Sequence, residues 1–439
     1  MVKLPEKGLS EKEIISQMEQ MRKEDADWKK GRTFSLVYYA RDDIKEIAQR
    51  AYTMFFSENG LNPLAFPSLK QFETEVVAMT ASILGGDDQT VGNMTSGGTE
   101  SILLAVKTAR DWARAEKGIT EPEMILPQTA HPAFEKASHY FGVKPVHIPV
   151  DKNLRADVNA LEKAITDKTV LIVGSAPCYP YGVIDPIPQM AEIAQKHNIL
   201  FHTDACLGGF MLPFMKKLGY KVIDFDFSVP GVTSISADIH KYGYAGKGAS
   251  VVIYRNEQIR KYQFYIYTDW VGGIYASPTI SGTRPGGAIA SAWAVMKYIG
   301  EQGYIELAKI TMETAQKLIN GIKSIDGMRI FGEPDMSVFA FDSEKVNIYA
   351  LGDELQKKGY FLDRQQLPPA LHLIVTANHQ KYADEFLKDL KECYQALLGK
   401  PKEDISGMAA LYGMLGTLPD RSQAYQLVLN FLNDLFKVK

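Results

Sequence analysis

The chain is short of cysteine, of net charge and of long apolar runs, and each shortage removes a class of function. Its three cysteines, Cys178, Cys206 and Cys393, are odd in number, far apart and without paired metal-ligand spacing, so structural disulfides and a bound metal are not expected. Lysine and arginine number 49 against 52 acidic side chains, a formal net charge of −3, which leaves no basic footprint for a nucleic acid. No segment is apolar enough to span a bilayer, and the charged stretch Met1 to Arg22 carries no secretory core. A cytoplasmic protein acting on a small molecule is the expectation.

What is present suits a soluble enzyme: 439 residues, 46% apolar and 23% charged, enough to bury two cores. Glu11 to Lys30 reads as a polar helix with Ile14, Ile15, Met18 and Met21 on one side, an arm that packs on the body or on a partner. From Leu69 onward helical and strand-like stretches alternate, as in an α/β fold whose parallel sheet is covered by helices. Candidate strands are Met124–Leu126, Val170–Ser175, Leu200–Asp204, Val232–Ala237 and Ala249–Tyr254, and several end in polar residues, where open α/β sheets place ligands. Asp185–His197 and Ala288–Ile325 read as helices, and short strands at Arg329–Phe331 and His372–Val375 suit a small α+β unit. The resulting division is a helical arm over 1–57, a large domain over 58–290 and a small C-terminal domain over 291–439.

Two residues then stand out. Lys241 ends the run Ser234–Lys241 after an apolar strand, and Asp204 ends another. A lysine amine can hold an aldehyde cofactor covalently while a carboxylate keeps its pyridine nitrogen protonated, so the pair points to pyridoxal 5'-phosphate. Thr95–Ser101, a small-residue turn opening a helix, can hold a phosphate on exposed amides or be a plain cap. His131 can stack on a flat ring or serve as a cap before Pro132, and His202 and His240 have the same bland alternative. Lys247 follows a glycine-rich loop and suits an anionic group or bare solvent, and the aromatic stretch Tyr262–Tyr267 reads as core packing rather than a subunit contact.

His202–Phe210, Thr233–Tyr244 and Thr268–Thr279 resemble the sphingosine-1-phosphate lyases, a fold-type I pyridoxal phosphate family related to the group II amino-acid decarboxylases. The likeness runs from about Gly31 to the tail Gly407–Met414. It implies a transferase-like fold with a large, mostly parallel sheet domain and a small C-terminal α+β domain. It also implies that Lys241 carries the cofactor, Asp204 pairs with the pyridine nitrogen and His131 stacks on the ring. Gly98, Thr99 and His240 would hold the phosphate with Thr283 of a second subunit, making the protein an obligate homodimer. Tyr38, Asn59, Tyr179 and Lys247 would surround a phosphorylated amino alcohol, with Tyr179 a candidate for proton handling. Against the family's Asn-Pro-Leu-His-Pro-Asp-Ile-Phe-Pro, this chain has Asn59–Pro67 with Asn62 and Leu64 in place of the histidine and aspartate, so a titratable group is lost beside the substrate. The implied reaction is retro-aldol cleavage of a long-chain base phosphate to a fatty aldehyde and phosphoethanolamine. Decarboxylation of an amino acid on the same fold, or cleavage of a different phosphorylated amino alcohol, stays open.

Overall fold

The computed structural model describes residues 2–401 and 421–438; the tail over 407–414 lies outside the described residues. Seven strands form the large sheet: β1 (Val91–Thr95), β2 (Glu123–Pro127), β3 (Lys144–Ile148), β4 (Thr169–Ser175), β5 (Leu200–Asp204), β6 (Ser234–Ala237) and β7 (Ser250–Tyr254), in the order β1-β7-β6-β5-β4-β2-β3. All pairings are parallel except those of β7, which runs antiparallel to both β1 and β6. Helices cover both faces, so β2, β4, β5, β6 and β7 are buried along their whole length; β4 and β7 accordingly read as apolar runs, while the buried polar side chains of β5 and β6 pair with one another, His202 with Ser234 and Ser236.

The helix Gly98–Lys117 buries Ile102, Leu103, Val106, Ala109 and Ala113 at helical spacing and stops at Gly118, whose left-handed backbone (φ 67°) suits glycine. The helix Ile187–Lys196 turns Ile187, Met190, Ala191 and Ala194 inward, within the span read from the sequence. A long helix, Gly286–Lys323, breaks at Gly300 (φ 59°). Its first part packs Ile289, Val295 and Met296 into the large core, and its last part packs Leu318 and Ile322 into a second core. That second core lies on a four-stranded antiparallel sheet of β10 (Met328–Ile330), β11 (Val338–Ser343), β12 (Asp363–Gln366) and β13 (Pro369–Ile374), ordered β10-β11-β13-β12. A separate hairpin pairs β8 (Tyr265–Trp270) with β9 (Gly273–Ser277).

Two expectations need correction. The N-terminal helix ends at Met21 and gives way to 3₁₀ turns at Arg22–Glu24 and Trp28–Lys30. Its start is secured by a capping box between Ser10 and Glu13, but none of its residues is buried and its apolar side is not covered by the other described residues. The aromatic stretch Tyr262–Tyr267 is not core: Tyr265, Ile266 and Tyr267 are exposed on the hairpin. Aromatic residues fit a strand whether or not anything covers it, so composition alone misled.

Candidate active site

Each strand that points toward the crevice delivers a residue to one cavity of 380 Å³, a size suited to a small cofactor and substrate. Ser96, Gly97, Gly98 and Thr99 follow β1, His131 follows β2, Ser175 and Tyr179 come from the end of β4, Asp204 ends β5, and Asp238, His240 and Lys241 follow β6. Lys241 and Asp204, 37 positions apart by their numbers, thus face the same space, at the carboxyl ends of the strands as the α/β topology requires.

The Lys241 amine lies 2.9 Å from Asp238 Oδ2. Burial alone would lower its pKa, but Asp238 outweighs that and raises it, so the amine rests as a cation. Asp238 is buried, and its other oxygen, Oδ1, has no hydrogen-bond partner among the described residues. Asp238 lies inside the run Ser234–Lys241 and was given no role from the sequence, although its place three residues before Lys241 was a usable signal.

Asp204 is buried and accepts from the Cys206 amide (3.1 Å) and the Ser236 hydroxyl (3.3 Å), both at Oδ1, leaving Oδ2 toward the cavity. Ser236 also meets Nε2 of His202 at 3.1 Å, and Ser234 meets its Nδ1 at 2.9 Å. Burial lowers His202 to about 4, so it is neutral. A neutral ring bridging two serines stiffens the carboxylate without adding charge beside it.

At the start of the helix Gly98–Lys117 no side chain caps the first turn, so its amides open into the cavity. A Cβ on Gly98 would lie 2.7 Å from Cys206 Sγ and 2.8 Å from Asp238 Oδ2, so only glycine lets this turn approach so closely. His240 accepts the Ala249 amide at Nδ1 (3.2 Å), and burial lowers it to about 4, leaving a neutral Nε2–H as a donor. His131 accepts the Ala133 amide at Nδ1 (3.1 Å), and burial lowers its pKa too. Uncapped amides, a neutral donor, a free carboxylate oxygen and a cationic lysine are the donor set that a phosphorylated pyridine aldehyde needs, and the residues present fit pyridoxal phosphate.

Tyr179 is held by the small sheet. Its hydroxyl donates to Asp363 Oδ2 at 2.6 Å, its ring stacks on His372 (centroids 4.3 Å apart, 29° between planes), and its carbonyl accepts from His372 Nε2 at 2.7 Å. Neither Asp363 nor His372 was singled out from the sequence for a site. Tyr38 sits edge-on to Tyr242 (5.2 Å) with Lys247 Nζ 5.1 Å from its ring centre, in a groove beside the cavity. Burial and the Lys241 charge lower Lys247 to about 8.

Within one chain, Asn59, Asn62 and Thr283 do not reach the Lys241 cavity. Asn59 accepts from the Leu61 and Arg284 amides and donates to Thr283, while Asn62 caps a turn through the Leu64 and Ala65 amides. Thr283 lines a smaller neighbouring cavity together with Ser96 and Glu100.

Residues 1–344 match the pyridoxal-dependent decarboxylase conserved domain. A sphingosine-1-phosphate lyase from rice (Oryza sativa subsp. japonica) is 46% identical over 98% of this chain and 81% of its own length. Sphingosine-1-phosphate lyase 1 of Rattus norvegicus is 45% identical over 99% of this chain and 77% of its own. Among solved structures, a sphingosine-1-phosphate lyase from Burkholderia pseudomallei superposes with a TM-score of 0.90 at 37% identity, covering 100% of this chain and 97% of that one. A glutamate decarboxylase from Lactobacillus brevis, 19% identical, shares the fold with a TM-score of 0.81 over 93% of this chain and 96% of its own.

Proposed function

Since the chain belongs to the pyridoxal-dependent decarboxylase family and, within it, to the sphingosine-1-phosphate lyases, we propose that it is a pyridoxal phosphate-dependent carbon–carbon lyase. Its substrate is a phosphorylated long-chain amino alcohol such as sphingosine 1-phosphate, cleaved to a fatty aldehyde and phosphoethanolamine. The observation that carries this reading is the meeting of Lys241 and Asp204 in one cavity beneath an uncapped helix start, in a chain alike to these lyases along nearly its whole length.

Bound pyridoxal phosphate supplies an electron sink for the pair released when the Cα–Cβ bond breaks. The chain's own residues do the rest. Lys241 would be the cofactor's attachment point, and Asp204, held rigid by Ser236 and His202, would keep the pyridine nitrogen protonated. His131 would cover the ring, and Gly98, Thr99 and His240 would hold the cofactor phosphate through amides and a neutral donor. Lys247 and Tyr38, in the neighbouring groove, would bind the substrate phosphate, and Tyr179 would handle a proton at the C3 hydroxyl. The loss of the family's histidine at Asn62 leaves Lys247 as the titratable group for that phosphate.

Thr283, Asn59 and Asn62 enter the site from a second copy of the chain, so the working unit is a homodimer. Support comes from their distance from the Lys241 cavity within one chain and from the uncovered apolar hairpin with Ile266, Trp270, Val271 and Ile274 exposed, a patch of the kind that marks an interface. Among the described residues no helix is long and apolar enough to cross a membrane. All three cysteines are free and buried, which suits the reducing cytoplasm where we place the enzyme.

The test is to incubate purified protein with sphingosine 1-phosphate and, separately, with aspartate, glutamate and tyrosine. Fatty aldehyde from the first, abolished together with the visible cofactor absorption in Lys241→Ala, is the expected result. Carbon dioxide from an amino acid without aldehyde from the lipid would make it a decarboxylase instead.

A further inference from the structure

Breaking the Cα–Cβ bond requires a group to take the proton of the C3 hydroxyl, and the cavity has few that can. Lys241 is the attachment point in the proposed function and, before cofactor is bound, a cation paired with Asp238 Oδ2, while Asp238 Oδ1 is buried out of reach of the cavity. His131 and His240 each accept an amide at Nδ1, so as neutral rings they present a protonated Nε2. Glu100 spends its oxygens on the Ser96 amide and hydroxyl and the Ile280 amide. Burial raises the Cys206 thiol well above its usual range, and Asp204 is taken by the pyridine nitrogen in the proposed function. What is left is Tyr179 with the carboxylate behind it.

The hydrogen of Tyr179 is committed to Asp363 Oδ2 at 2.6 Å, a charge-assisted bond. A phenol so committed has no proton to give to the cavity and offers its oxygen lone pair instead. The pair is rigid. Asp363 on β12 stands opposite His372 on β13 in the sheet register, and His372 both stacks on the Tyr179 ring and donates to its carbonyl. Gln365 from the same strand donates to the Pro180 carbonyl at 2.8 Å. The groups facing Asp363 are Tyr179, His372 and Tyr38, with Lys241 beyond Tyr179. His372 is buried and lowered to about 4, so it is a neutral neighbour rather than a cation competing for the carboxylate.

We infer that Asp363 is the terminal acceptor of a two-residue proton relay, positioning Tyr179 and drawing the C3 hydroxyl proton through it. The inference rests on the lyase reading above. In the forward step the C3 O–H bond breaks and its proton joins Tyr179 Oη, while the Tyr179 proton moves to Asp363 Oδ2. The C3 carbonyl forms, the Cα–Cβ bond breaks and the bonding pair stays on Cα. Return of the proton through Tyr179 to Cα restores the carboxylate, so no net proton is gained or lost.

The test compares single-turnover aldehyde release by wild type, Asp363→Asn, Tyr179→Phe and the double variant, each checked for the visible cofactor absorption. Each single variant is expected to lose about 100-fold, the scale of one general acid–base group. The double variant should lose no more than Tyr179→Phe, because the two act as one unit. In mixtures of light and heavy water the wild-type rate should curve, reporting two protons in flight, and that curvature should vanish in Asp363→Asn. If Asp363→Asn fails to load cofactor, Asp363→Ala assayed with added formate decides: restored aldehyde release supports the relay, and none overturns it. A wild-type rate in loaded Asp363→Asn, or losses that multiply in the double variant, overturns the relay alone. Wild-type enzyme with intact absorption and no aldehyde overturns the lyase reading and the relay with it.

Discussion

Replacing Gly98 by alanine should weaken cofactor binding, while the same change at Gly97, one residue earlier, should not. At Gly98 the added carbon would lie 2.7 Å from Cys206 Sγ and 2.8 and 3.0 Å from the two Asp238 oxygens, where about 3.5 Å or more is comfortable. Something must therefore give by roughly 0.7 Å. Both neighbours are tied: Asp238 to the Lys241 amine, and Cys206 to Ser236, which also holds Asp204. Relief by moving them disturbs both ends of the ring site, and relief by moving the helix start withdraws the phosphate-binding amides. Overpacking of this kind costs about 1–3 kcal/mol, against which the better helix propensity of alanine returns at most about 1 kcal/mol. A net loss of about 1–2 kcal/mol corresponds to a dissociation constant raised roughly 5- to 30-fold. At Gly97 the added carbon meets only His240 Cε1, at 3.3 Å, and the backbone there is extended (φ 165°, ψ 169°), open to any residue. Its effect should stay within about 2-fold, since a few tenths of a kcal/mol is all such a contact costs. Titration of the apoenzyme with pyridoxal phosphate, followed by visible absorption, measures both. Equal affinities for wild type and Gly98→Ala, or a larger loss at Gly97, would refute the crowding argument.

Lys247, lowered to about 8, is charged below that pH and neutral above it, so KM for a phosphorylated substrate should rise from about pH 7 to about pH 9. Steady-state assays of Lys247→Arg should show that rise abolished, because arginine stays charged throughout. His202, His372 and His379 are buried and lowered to about 4, below the ordinary 6.5 that the unfolded chain keeps. Between those values the unfolded state binds more protons, so stability rises with pH across the window and is lost on acidification. Thermal melts should therefore show Tm falling as pH drops from about 6.5 to about 4, less steeply in His379→Gln. An unchanged Tm across the window would show that these rings gain their protons without unfolding.

The parts of the site that were legible are those that parallel strands deliver. A short strand-like run ending in a polar residue marks the carboxyl end of a buried strand, and Asp204 and Ser175 sit at such ends; Lys241 follows another, Ser234–Ala237, at the distance of a short turn. Asp363 and His372 were illegible for a matching reason. The strand Asp363–Gln366 is polar throughout and half-buried along its length, so it shows no alternation, and its meeting with Tyr179 depends on sheet register across 184 positions. The end of the N-terminal helix at Met21 and the exposure of Tyr265–Tyr267 escaped notice because composition reports what an element can pack against, not whether a partner is there.

That difference in legibility follows from how the work is divided between the two sheets. The large sheet holds the residues assigned to the cofactor, whose demands are fixed: a lysine, a carboxylate, open amides and neutral donors, all at strand ends that the topology already brings together. The small sheet holds Tyr179 from behind through Asp363 and His372, residues assigned to the bond that is broken. A decarboxylase needs the first set and has no C3 hydroxyl to deprotonate, so the second set is where a lyase on this fold should differ from one. Placing the proton acceptor on a separate sheet also lets the Tyr179 hydroxyl be oriented without adding a charged group to the ring's immediate surroundings, where it would compete with Asp204 for the pyridine proton. In the proposed reading, bond choice would thus rest on an antiparallel pair, Asp363 opposite His372, outside the mostly parallel sheet whose strand ends are assigned to the cofactor.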